Sequence, residues 1–175
     1  MSRAGRKRYD RIWGFPPIAQ PAARVLVLGS MPSVASLAAG EYYAHPRNQF
    51  WPITGVIFGF DAKAPYARRR EALRSSGIAL WDVLASCVRV GSLDSAIDDD
   101  SIEVNDFAGF LASHQRISRV CFNGRKAEST WHRHARQCPP AGRRLEYRLL
   151  PSTSPAHAGM SYRRKLGIWR SALQC

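Results

Sequence analysis

VLVLGSMPSVASLAAGEYYAHPRNQFW, residues 25–51, decides how the rest of this 175-residue chain is read. Its opening run, Val25-Leu26-Val27-Leu28, is long enough for a strand buried on both faces, and it breaks at Gly29-Ser30-Met31-Pro32-Ser33. A loop then leaves from the strand's carboxyl end, which is where ligands bind in open parallel sheets. The cluster from Tyr42 to Trp51 supplies aromatic faces, an amide and a proline-stiffened backbone, a lining suited to a flat heterocycle.

Outward from this stretch the strand-then-loop pattern recurs. Residues 78–84, 117–122 and 145–150 read as further buried strands, and helices are expected over 33–39, 49–58, 64–75, 103–113, 124–134 and 162–173. Ser33 is the natural N-cap of the first helix, and Gly40 and Gly59 stand where the first two should end. Strands alternating with helices predict an α/β fold, a three-layer α/β/α sandwich with a central, mostly parallel sheet of about four strands. One domain is expected over 21–175, preceded by a basic, partly mobile segment over 1–20. Gly29-Ser30, Trp81-Asp82, Asn123-Gly124 and Pro151-Ser152 each follow a strand, so they should meet at one edge of the sheet.

Composition narrows the partners. The formal charge is +13, and six of the 13 acids fall between Asp94 and Asp106, a window without Lys or Arg. The remainder therefore carries 26 basic and seven acidic residues, +19, mostly as arginine, whose planar fork suits phosphate. Nucleic acid is the expected partner, with a merely soluble basic surface as the plain alternative. No apolar run of about 18 residues and no export-type leader is visible, so a cytoplasmic protein without membrane contact is expected. Cys87, Cys121, Cys138 and Cys175 lie far apart without metal-site spacing, and no P-loop occurs. No metal and no organic cofactor is expected.

Taken together, GSMPS, YYAHPRNQFW, ALWDVL, FNGRKA and LLPSTSPAH, in that order, resemble the hypoxanthine-DNA glycosylase branch of the uracil-DNA glycosylase superfamily, over roughly residues 25–169. The resemblance implies a monofunctional enzyme that cuts the N-glycosidic bond of a deaminated purine in DNA and leaves an abasic site; a monomer is expected. It implies catalytic roles for Asn48, on the water or sugar side, and Asn123, at the base edge. Uncharged amides suit a reaction through an oxocarbenium-like sugar, which needs a held water and a stabilised leaving base. The structural alternatives are a turn residue after Pro46 for Asn48 and a helix-start turn before Gly124 for Asn123. A base pocket is expected from Ser30, Met31, Tyr43, His45, Phe50, Trp81 and Asp82, with Tyr43 or Phe50 stacking on the flipped base and Phe50 equally suited to the core. Asp82 is either a reserve general base or a turn cap. Ser152, Ser154 and His157 are expected to bind phosphates, as are Arg163 and Arg164 at the start of the last helix, unless these two form only a solvated face.

The chain also departs from its uracil-specific relatives. Met31 stands where they carry a catalytic Asp or Asn, and Leu150 where they carry the His or Asn that opens the second motif. Hypoxanthine is therefore favoured over uracil. Lys126, two residues past Gly124, is the one lysine near a motif, so hydrolysis without strand cleavage is expected. The rival readings are a uracil or G/U-mismatch glycosylase of the same fold, a non-catalytic nucleic-acid-binding protein and a small-nucleotide hydrolase.

Overall fold

The computed structural model describes residues 10–136 and 143–174; the basic stretch before Asp10, and Cys138 and Cys175, lie outside them. A four-stranded parallel sheet forms the centre, ordered β3-β2-β6-β7 from Ile78–Asp82, Val25–Gly29, Arg119–Asn123 and Glu146–Leu150. Every residue of β2 and β3 is buried, as strands covered on both faces require.

Side chains along these strands alternate between two cores. Val25, Val27, Ile78, Leu80 and Cys121 enter one, beneath α2 (Phe50–Phe58), α3 (Tyr66–Ser75) and α6 (Tyr162–Leu173). Leu26, Leu28, Ala79, Trp81, Val120 and Phe122 enter the other, beneath α4 (Phe107–Ser113) and α5 (Arg125–Thr130), with Trp131 from the π-type turns that extend α5. Trp131 and Trp169 anchor the two sides at 1% and 0% exposure, and burial of a large apolar side chain is worth roughly 1.5–3 kcal/mol. The three-layer expectation holds.

Helix ends follow local chemistry. Ser33 caps α1 (Val34–Ala39) by accepting from the Ser36 amide, and Gly40 and Gly59 end α1 and α2. Asp106 caps α4, its carboxylate accepting from Gly109 N at 2.9 Å, so the helix expected from residue 103 begins only at Phe107. The preceding Glu103–Val104 is instead a short strand, β5.

Two further expectations are corrected. The strand expected over 78–84 divides: Val83 N and Leu84 N still bond to Gly29 O and Ser30 O, and the chain then departs as β4 (Leu84–Val88). With β1 (Arg11–Trp13) and β5 it makes an antiparallel sheet ordered β1-β4-β5, absent from the sequence reading. The domain boundary also moves, because β1 pairs with β4 and Ile18, 3% exposed, bridges to Leu80. Residues 11–20 thus belong to the folded body. Among the described residues no helix is long and apolar enough to cross a membrane.

Candidate active site

Strand register builds the floor of the site. Gly29 of β2 pairs with Asp82 of β3, and the Leu28–Phe122 pairing sets Asn123 of β6 beside Gly29 on the other side. By the period-two rule Gly29, Asp82 and Asn123 all point to the α2/α6 face at the carboxyl ends of their strands. They form a row, Asp82-Gly29-Asn123, with no side chain in its middle. A Cβ added at Gly29 would lie 2.4 Å from Asp82 Oδ1 and 2.9 Å from Tyr43 Oη, so only glycine admits both groups.

Two loops close over this row. The first, between α1 and α2, carries Tyr43 and Asn48. Tyr43 adopts φ 55°, a left-handed conformation that costs an ordinary residue about 1 kcal/mol, and its ring stacks on Phe50 at 4.3 Å. Asn48 accepts from Phe50 N at 2.9 Å through Oδ1, which tethers it to the first turn of α2 and leaves its NH2 group and one lone pair for a ligand. The second loop follows β7. There Thr153, fully buried, pairs reciprocally with Asn123: Asn123 Nδ2 donates to Thr153 Oγ1 and Thr153 N donates to Asn123 Oδ1, both at 2.9 Å. Thr153 O also accepts from Gln49 N at 3.0 Å, next to Asn48. One residue therefore draws both asparagine loops together.

The cavity they enclose measures about 90 Å³ and is partly open to solvent. Asn48, Asn123, Asp82, Tyr43, Ser30 and Met31 line it, with Thr153, Ser152 and Ser154 at the β7 side. At about 90 Å³ it is small beside ligand pockets of about 300 Å³ and more, a size for one edge of a flat ring and not for a whole nucleotide.

The electrostatics are those of buried acids. Asp82 is 3% exposed and its Oδ2 has no hydrogen-bond partner. Burial, and next the Asp94 charge, push its carboxyl up to about 8 against the pull of Arg89. Ser30 Oγ donates to Asp94 Oδ1 at 2.6 Å; burial raises the Asp94 carboxyl, and this hydrogen bond opposes the rise. Burial and then the Asp82 charge hold the Tyr43 phenol protonated well above its usual range, with Asn123 pulling the other way. Among the described residues no group of three or more His, Cys, Asp or Glu side chains could hold a metal.

The family model of the uracil DNA glycosylase superfamily matches residues 16–172. The chain belongs to that superfamily. It is 35% identical over 155 residues to a protein of Methanosarcina acetivorans named hypoxanthine DNA glycosylase, covering 87% of this chain and 92% of the relative. A protein of Methanosarcina barkeri with the same name is 34% identical over 164 residues, covering 92% and 97%. A solution NMR structure from Methanosarcina acetivorans, carrying a provisional uracil DNA glycosylase assignment, superposes with TM-score 0.78 at 32% identity, covering 94% of this chain and 97% of that one.

In this uracil DNA glycosylase superfamily chain, the residues expected from the sequence divide into three groups. Asn48, Asn123, Ser30, Met31, Tyr43 and Asp82 share the cavity, and Ser152 and Ser154 line it rather than standing clear of it. Phe50 and Trp81 are corrections: Phe50 is fully buried behind Tyr43, and Trp81 turns to the opposite core, where its Nε1 donates to Phe15 O at 3.0 Å. Parity explains Trp81, since it precedes Asp82 by one residue and so faces the other way. His45 lies on the outer side of its loop, in a separate cleft of about 400 Å³ that Tyr43 and Asn48 also reach. His157, Arg163 and Arg164 are exposed, outside the cavity. Lys126 is also outside it, paired to Asp99 at 3.2 Å. The sequence reading missed Thr153 and Asp94. Thr153 lies inside the LLPSTSPAH motif and Asp94 at the edge of the acidic window, and no local signal in the sequence singles either out.

Proposed function

We propose that this chain is a monofunctional DNA glycosylase that hydrolyses the N-glycosidic bond of deaminated bases, chiefly hypoxanthine, and leaves an abasic site. The observation that carries the reading is the convergence of Asn48 and Asn123 on one cavity, in a chain whose relatives are named hypoxanthine DNA glycosylase. The base swings out of the duplex and presents its edge to the cavity, at an unstacking cost of a few kcal/mol that a weakly paired lesion reduces. Asn48, with one lone pair and its NH2 group unspent, holds the attacking water against C1′. Asn123, fixed by Thr153, keeps one N–H and one lone pair for the base. Water delivers hydroxide to C1′ and a proton to the departing base; among the described residues no lysine lines the cavity to form a Schiff base, so hydrolysis proceeds without strand cleavage. Ser152 and Ser154 at the rim, His157 on the same loop, and the exposed Arg163 and Arg164 bind phosphates beside the lesion. The protein acts as a monomer on cellular DNA, within the cytoplasm and without a metal or organic cofactor.

Labelled duplexes carrying inosine, uracil, xanthine or only normal bases, incubated with the protein in EDTA and then treated with alkali, test this. Cleavage of the inosine strand is expected after alkali only, and Asn48→Ala should lower its rate by about 10²-fold or more, the scale of a lost transition-state contact. A binding protein would retard all duplexes and cut none. Preferential cutting of uracil would move the assignment to the uracil branch.

A further inference from the structure

The two rims of the cavity differ in kind. On the β7 side stand Ser152 and Ser154; on the opposite side, past β3, the chain runs through β4 into the turn Val90-Gly91-Ser92-Leu93. Ser92 and Asp94 line the cavity, so Leu93 between them belongs to its lip, and it is 60% exposed. Val90 in the same turn and Val34, whose amide donates to Ser92 Oγ at 2.8 Å, are each 52% exposed. Three large apolar side chains left in solvent therefore gather at one edge of one cavity, which marks a contact surface where a single exposed leucine would not.

The turn is firmly held. Buried Arg89 donates from Nε to Gly91 O at 2.9 Å and from Nη2 to Pro32 O, and Ser30 Oγ donates to Asp94 Oδ1 at 2.6 Å. These bonds also engage the charges on either side, so the tip from Val90 to Leu93 presents no ion. The other acids of this region lie beyond it, where Asp98 caps the next turn through Asp100 N and Asp99 pairs with Lys126 and Arg133. A loop that follows phosphates carries cations; a loop that enters a base stack carries apolar side chains.

We propose that Leu93 is a wedge that enters the duplex beside the flipped nucleotide and packs against the neighbouring base pair, with Val90 and Val34 flanking it. Continuity with the cavity identifies the occupant: with a base held inside, its neighbours in the stack lie at the lip, where Leu93 is more exposed than either valine. The wedge takes no part in breaking the glycosidic bond. It offsets the stacking lost when the base leaves the helix, and so raises the population of the extruded state.

The inference rests on the glycosylase reading, and the two fail differently. Single-turnover inosine cleavage is measured for wild type, Leu93→Ala and Leu93→Met on three substrates of one sequence: a paired duplex, a duplex whose inosine faces an abasic site, and a single strand. Leu93→Ala should cut the paired duplex about tenfold more slowly yet stay within about twofold of wild type on the other two, where less stacking and pairing must be broken. Leu93→Met keeps a long apolar side chain and should restore the duplex rate. A 2-aminopurine placed beside the inosine should brighten when wild type binds the paired duplex and stay dim with Leu93→Ala. An equal loss on every substrate that wild type cuts would put Leu93 in the framework of the cavity instead of the base stack, and no loss on any would remove it from the reaction; either result overturns the proposal while leaving the glycosylase reading intact. Wild type that cuts inosine in none of the three overturns the glycosylase reading, and this proposal falls with it.

Discussion

Thr153 joins three parts of the site through one residue: its hydroxyl and amide hold Asn123, and its carbonyl holds Gln49 beside Asn48. Thr153→Val keeps the backbone bonds and removes the hydroxyl, leaving the Asn123 amide short of a buried acceptor. The expected cost is about 1–3 kcal/mol in urea unfolding together with slower inosine cleavage, while Thr153→Ser restores both. Stability unchanged in Thr153→Val would show that the reciprocal pair carries no energy. Gly29 allows an equally local prediction. Gly29→Ala places a methyl group 2.4 Å from Asp82 Oδ1, so cleavage should fall sharply even where the variant still folds, with an overpacking cost of about 1–3 kcal/mol. The raised Asp82 carboxyl has a stability consequence of definite sign. The folded state holds a proton up to about 8 that the unfolded chain releases near 3.8, so the stabilisation from that proton declines as pH rises between those values. Asp82→Asn lacks this titration. Its melting temperature relative to wild type should climb from pH 5 to pH 9, and a difference constant with pH would contradict the raised carboxyl.

At the scale of elements, α6 fixes the loop that follows β7. Lys165, 2% exposed, donates from Nζ to His157 O at 2.8 Å, and Trp169 Nε1 donates to Pro151 O at 3.0 Å. The two bonds grip the loop near either end, around the segment that carries Ser152, Thr153 and Ser154. Lys165→Met keeps the apolar stem and removes the Nζ bond. Amide exchange across residues 152–160 should quicken and DNA should bind more weakly, while the two cores stay intact; unchanged exchange there would show that Trp169 alone holds the loop. Along 162–173 a 3.6-residue period groups Tyr162, Leu166, Trp169 and Leu173 on one face, and Leu166, Trp169 and Leu173 do pack against the core. Tyr162 is nevertheless 37% exposed, and a lysine, Lys165, takes up buried space one turn later. Periodicity identifies a face, but the neighbouring loop determines where that face ends.

Over the whole molecule, charge is sorted by the fold. The acidic window is not a free tail: Asp99 pairs with Lys126 at 3.2 Å and Arg133 at 3.0 Å, holding the start of β5 against α5 and its extension. Arg163 and Arg164, by contrast, stand exposed at the start of α6, close in sequence to the loop that borders the cavity. Replacing both with glutamine should weaken binding to every duplex and lower the slope of log affinity against log salt by about two, leaving the preference for inosine unchanged. A slope that does not move would remove them from the DNA interface.

From the sequence alone followed four parallel strands, the order of strands and helices, most helix ends and the family, because apolar runs, period-3.6 faces and capping residues are local signals that survive into the folded chain. The two asparagines were legible through the motifs around them. The antiparallel sheet was not, because β1 and β5 span only three and two residues and acquire their pairing from β4. Nor was the row of Asp82, Gly29 and Asn123, which depends on strand register, or the grip of Thr153 on residues 30 positions away in the chain. Neutralising a carboxyl takes burial from several directions at once, and only the packed structure supplies that.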